Sequence, residues 1–94
     1  MRLYITDLKD EIALSMFDFL KRKLMNKEVK VIVNERDHPG VVQNIVLDEE
    51  KLNFIELFVD ETKIIIPLND NSRIRLDKGL YFFETEQHTT LIYN

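Results

Sequence analysis

The sequence predicts an α+β protein: an N-terminal strand and a helix, then a small bent antiparallel β-barrel of about six short strands. Three observations lead there. Apolar residues recur at strand spacing in "MRLYIT", at helical spacing over the next twenty residues, and at strand spacing again from residue 28 onward. The breaks between the later strands, "ERDH", "DEEK", "DET" and "NDN", are short and polar, which suits a meander. Many short strands in so few residues curl into a small barrel, because a flat sheet would expose its edges.

Met1, Leu3 and Ile5 alternate with Arg2, Tyr4 and Thr6, the pattern of a first strand. The period then changes. Leu8, Ile12, Met16, Phe19 and Leu20, with Ala13, Phe17 and Leu24 beside them, fill one half of a helical wheel over residues 7–25. Asp7 is the expected N-cap. Acids in the first turn and Lys21, Arg22 and Lys23 in the last match the helix dipole. The mixed charges of the polar face suit a helix packed on its own sheet better than a basic membrane helix. The expected buried set is Ile12, Met16, Phe17, Leu20 and Leu24.

Five strands follow in "EVKVIVNE", "GVVQNIVLD", "KLNFIELFVDE", "TKIIIPL" and "SRIRLD". A last hairpin, "GLYFFETE" with "TTLIYN", turns around Gln87 and His88. In "ERDHPG", residues 35–40, "ERDH" is expected to be the hairpin connection. Pro39 would open the next strand and Gly40 would let it bend across the barrel. A type II turn centred on Pro39 and Gly40 is the alternative.

The chain's 94 residues make one domain, 1–94, with the barrel over 28–94. A domain of this size hides roughly 65% of its unfolded surface, enough for a core without a staple. The sequence has no cysteine, which excludes disulfides, thiolate catalysis and cysteine-ligated zinc. It shows no signal-peptide pattern and no run near the ~20 apolar residues of a membrane span, so the expected place is the cytoplasm and no membrane partner is expected. The net charge of −4 disfavours a general nucleic-acid coat, which needs a basic face. Abundant Ile, Lys, Asn, Phe and Tyr suggest an AT-rich source, a low-GC bacterium or its phage.

The helix ending at "FLKRKL" and the strands after it resemble the small barrels of the Sm-like superfamily and the C-terminal barrel of YolD-like proteins, over about residues 15–76. "GVVQNI" matches the Gly-x-apolar pattern of the second strand. "LDEEKLNFIEL" carries Asp48 and Asn53 at a spacing different from the Sm-like one. "IPLNDNSRI" sets Pro67 and Leu68 where Sm-like proteins have Arg-Gly, and looks more like the YolD-like close. The resemblance implies a ring-forming, RNA-binding barrel whose polar loops hold bases. Here those loops would supply Asn53, Asn69, Asp70, Asn71 and Arg73.

No residue set suggests catalysis, so no enzyme, metal or cofactor is expected. Asp37 and His38 are adjacent, but neighbours in a strand point apart and no nucleophile stands near. His38 and His88 lie in separate turns. The acids Asp48, Glu49, Glu50, Glu56 and Asp60 lack the spacing of a calcium loop. Two glycines cannot build a phosphate cradle.

The strongest interaction signal is the last hairpin, where apolar residues fall on both faces; Tyr81, Phe83, Ile92 and Tyr93 are the expected interface. The reading is therefore a non-enzymatic module, regulatory or inhibitory, that binds a protein partner through this hairpin and a neighbouring edge strand. A homodimer is expected rather than a ring, because the hairpin would occupy the edge that a ring neighbour needs. An Sm-like RNA-binding oligomer and a small-ligand, nucleotide-type binding protein are the alternatives.

Overall fold

The computed structural model describes residues 3–5, 9–69 and 71–94. Among them are one helix, α1 (Asp10–Leu24), and eight strands. The strands are β1 (Leu3–Ile5), β2 (Glu28–Val33), β3 (Arg36–Leu47), β4 (Phe54–Val59), β5 (Thr62–Pro67), β6 (Arg73–Asp77), β7 (Leu80–Glu84) and β8 (Thr89–Tyr93). The α+β reading holds, with seven strands after the helix rather than about six.

All eight strands join one antiparallel sheet in the order β1-β6-β7-β8-β2-β3-β4-β5. The sheet curls but does not close. β5 and β1 are its edges, so the expected barrel is open between them. Pro67 and Arg73 are separated by five residues, which reach at most roughly 20 Å. The helix lies in the trough of this curl. Ala13, Met16, Leu20 and Leu24, spaced by three or four residues, turn inward to join one core with residues of all eight strands. Phe19 meets Tyr81 of β7 edge to face, at 6.2 Å between ring centroids and an angle of 67°.

The helix departs from expectation at three points. It begins at Asp10, with Lys9 as the N-cap and no side-chain capping bond; Asp7 lies outside the described residues. Ile12 is 38% exposed, because the buried stripe runs through Ala13 instead. Phe17 is half-buried at the rim of the core, with the Lys21 ammonium 5.9 Å from its ring centre. The helix ends at Leu24, and two residues on Asn26, with a φ of 64°, takes the left-handed conformation that follows many helices. Its N–H then bonds to the Val42 carbonyl at 2.9 Å, so the helix end is tied to the sheet.

β3 is the long element, at twelve residues. Its first half pairs with β2 and its second half with β4. A bulge at Gln43 lies between the halves. The β2–β3 connection is the two residues Asn34 and Glu35, with φ of 46° and 73°, the type I′ pattern of tight hairpins. "ERDH" is therefore not the loop. Arg36 to His38 belong to β3, and neither Pro39 nor Gly40 forms a turn. Pro39 pairs with Lys30 on one side and meets no strand on the other, so its missing N–H costs no ladder bond. A Cβ on Gly40 would stand 2.8 Å from both Val59 Cγ1 and Asp60 Cγ. The bare backbone here lets the β4–β5 turn close down, and Asp60 Oδ1 accepts the Val41 N–H at 3.1 Å.

Three outcomes test this architecture. Leu20→Ala should lose about 2–5 kcal/mol in denaturant unfolding, and Ile12→Ala less than about 1 kcal/mol. Gly40→Ala should cost about 1–3 kcal/mol through crowding, and a neutral result would remove the close approach as its reason. His88, half-buried with Nδ1 3.3 Å from Thr90 Oγ1, has its pKa lowered by desolvation. Its neutral form is thus favoured by folding. The resulting stability is complete above the unfolded histidine value of about 6.5 and falls as pH drops below it. An NMR titration of His88 with a midpoint above that value would contradict this.

Candidate functional site

The sheet has an inner and an outer face, and strand parity assigns each residue to one of them. Val29, Val31, Ile74, Leu76, Tyr81, Phe83, Thr90 and Ile92 are buried and point inward. Their neighbours point out. Cross-strand register then sets Arg75, Phe82, Leu91, Ile32 and Asp37 side by side in one outward row across five strands. The adjacent row is Asp77, Leu80, Tyr93, Lys30 and Pro39. At the centre of these rows lies an apolar patch of Ile32, Leu80, Phe82, Leu91 and Tyr93. A depression of about 460 Å³ lined by Ile32, Asn34, Glu35, Thr89 and Leu91 adjoins it.

Charged pairs bracket the patch. Lys30 Nζ lies 3.5 Å from Asp37 Oδ2, Arg75 Nε 2.9 Å from Asp77 Oδ2, and Arg73 Nη1 4.0 Å from Glu84 Oε1. Such surface pairs add little stability, so their interest is the balanced rim they make.

Of the four hairpin residues expected at an interface, only Tyr93 is exposed. Tyr81, Phe83 and Ile92 are 3%, 2% and 1% exposed and belong to the core. Burial also pushes the Tyr81 phenol pKa up. The apolar side that turns outward is the other one, carried by the half-buried Leu80, Phe82 and Leu91. The turn of Lys78 and Gly79 decides this. It pairs Leu76 with Tyr81 and Asp77 with Leu80, so Tyr81 must share the inward face of Leu76. Sequence reasoning misses Leu80, Phe82, Leu91 and Ile32. The signal that finds them is this two-residue turn combined with the clear alternation of "RIRLD". The hairpin also adjoins no edge strand, since it sits between β6 and β2.

The expected polar loop set is divided. Asn53 and Asn69 line one small cleft beside Lys9, Asp10 and Lys51 at the start of α1. Asn69 also lines a second hollow, with Asn71, Thr85, Glu86 and Gln87, so it alone among the set's described residues borders both. Arg73 lies on the outer sheet face with Glu84. Asp70 is outside the described residues. The loop bonds are those of turns. Asn69 Oδ1 accepts the Asn71 N–H at 2.8 Å, and Ser72 Oγ accepts the Asn69 N–H at 2.9 Å. Asp48 likewise organises the β3–β4 loop, its carboxylate accepting the N–H groups of Glu50 and Asn53 at 3.2 Å each. Asp37 pairs outward opposite Ile32 while His38 stands opposite the buried Val31, so the two side chains project to opposite faces. Among the described residues no helix is long and apolar enough to cross a membrane.

Comparison with protein-family models, with curated proteins and with solved structures finds no match to this chain.

Proposed function

We propose that this chain is a non-enzymatic protein-interaction module that works as a homodimer, joined through the outer face of β7, β8 and β2. The observation that carries the reading is the row of Phe82, Leu91 and Ile32 on three adjacent strands, with Leu80 and Tyr93 in the next row. A continuous outward apolar row of this kind marks contact surfaces more often than free ones.

The rim favours a second copy over a strongly charged partner. Three cations, Lys30, Arg73 and Arg75, stand with three anions, Asp37, Asp77 and Glu84. These three pairs cancel one another, and so give little pull to a polyanion or a polycation. A copy rotated by a two-fold axis can set its cations opposite these anions. Two sheets packed face to face at about 10 Å would bury the apolar rows between them. The strand order favours a dimer over an Sm-like ring. β6, the strand that a ring neighbour would need, has β1 on one side and β7 on the other. The module's effect on a target would come from occupying its surface, a regulatory or inhibitory mode of action.

Light scattering on the native protein tests this. The expected mass is about 22 kDa, twice the 11.2 kDa chain. Leu91→Glu should give a monomer with an unchanged far-UV spectrum. A native monomer would overturn the homodimer, and a hexamer or heptamer would favour the RNA-binding ring instead.

A further inference from the structure

A second surface, sharing no residue with the dimer face, runs along α1. Asp10, Leu14, Phe17, Asp18 and Lys21 are spaced by four, three, one and three residues and form one stripe of the helix. Opposite them stand the end of β3 and the β3–β4 loop, with Asn44, Val46, Glu49, Glu50, Lys51 and Leu52. The groove between them holds about 850 Å³, within the range of ligand and peptide sites. Its floor is apolar. Leu14 is 49% exposed on a helix that turns its other leucines, Leu20 and Leu24, into the core. Val46 is exposed too, and Phe17 and Leu52 are half-buried against the core edge.

The rim is acidic. Asp10, Asp18, Glu49 and Glu50 face only Lys21 and Lys51 there, an excess of two negative charges. None of these four carboxylates joins an ion pair among the described residues, whereas Asp37, Asp77 and Glu84 beside the sheet patch each do. Unpaired carboxylates above an apolar floor are complementary to a cationic segment with apolar anchors. The stripe from Asp10 to Lys21 extends about 16 Å, three turns of helix. We infer that this groove binds a short basic amphipathic helix of a partner protein, laid alongside α1. Its apolar side chains would enter between Leu14, Phe17 and Val46, and its Lys or Arg would meet Asp18, Glu49 and Glu50. Helix-in-groove recognition uses such anchors at i, i+3, i+4 and i+7.

The test is fluorescence anisotropy of the 94-residue chain with a labelled synthetic peptide of roughly fourteen residues, three to four turns long. Its Leu residues sit at i, i+3, i+4 and i+7, and the remaining positions are Lys. Controls are a scrambled peptide of the same composition and a Leu/Glu counterpart. The expected result is saturable binding of the Leu/Lys helix, about tenfold tighter than either control. Leu14→Gln, and separately the double change Glu49→Lys with Glu50→Lys, should each weaken it about tenfold while the light-scattering mass stays unchanged. These positions are exposed at the surface, so thermal melts should match the native protein. Equal binding of all three peptides would overturn the inference. So would groove variants that bind as the native protein does, or binding that is lost in Leu91→Glu and kept in the groove variants. Failure of the dimer leaves this result readable, because the groove lies within one chain.

Discussion

Strand β3 has to serve two halves of the sheet at once, and the rest of the molecule depends on how it does so. Twelve residues of nearly straight strand would run far beyond the small core that this chain can fill. Instead the strand turns between Gly40 and Gln43. Gly40 has no Cβ to hold Val59 and Asp60 away, and the extra residue Gln43 increases the local twist. Before the bend the strand pairs with β2, and after it with β4. The second half then carries Val42, Ile45 and Leu47 into the core, whereas no residue of the first half is buried. The same place anchors the helix. The Val42 carbonyl accepts the Asn26 N–H and the Val42 N–H donates to the Lys27 carbonyl, both at 2.9 Å. Bend, helix end and β4–β5 turn thus share a few residues, so a change at Gly40 reaches all three.

The bend sets where the sheet can end. With β4 and β5 folded back, β5 has no further strand beside it, and the chain crosses in five residues to β6. The C-terminal hairpin then fills the place between β6 and β2, and β1 covers the far side of β6. The sheet stays open because no ladder joins β5 to β1. The helix takes up the remaining space. Its stripe of Ala13, Met16, Leu20 and Leu24 is narrow because it fits a trough, and this leaves Ile12, Leu14 and part of Phe17 outside.

Element types were legible in the sequence because each has a strong local period. The alternation of β2 and β6 and the helical stripe needed no tertiary information. The phases and partners were less legible. "LYFF" is apolar in both phases, so its own pattern cannot say which side is buried; only the register fixed by Lys78 and Gly79 can. The turn at Asn34 and Glu35 was hidden because Glu35 has low preference for a positive φ, while Asp37, Pro39 and Gly40 all attract a turn reading. Here sheet pairing overrides composition. That the last hairpin is apolar on both faces was legible; which of its side chains are buried was not. Ile32 could not be joined to Phe82 and Leu91 without the β2–β8 pairing, a contact between residues about sixty positions apart.

The distribution of charge separates the two surfaces physically. Beside the sheet patch Asp37, Asp77 and Glu84 each have a cation within 4.0 Å, so those charges largely cancel and contact there would rest on apolar burial. Along the groove the acids outnumber the bases, and this excess supplies part of the chain's net charge of −4. Contact there would draw on a field that salt screens over about 8–10 Å. A module with one balanced and one charged face can keep its own pairing constant across ionic conditions while its hold on a cationic partner varies. Two copies joined through the sheet would also carry two grooves, and a partner with two basic segments could engage both. Linked engagement raises the apparent affinity without any new contact, provided the spacing of the segments matches that of the grooves. The dimer would then set the geometry in which a modest acidic groove becomes selective.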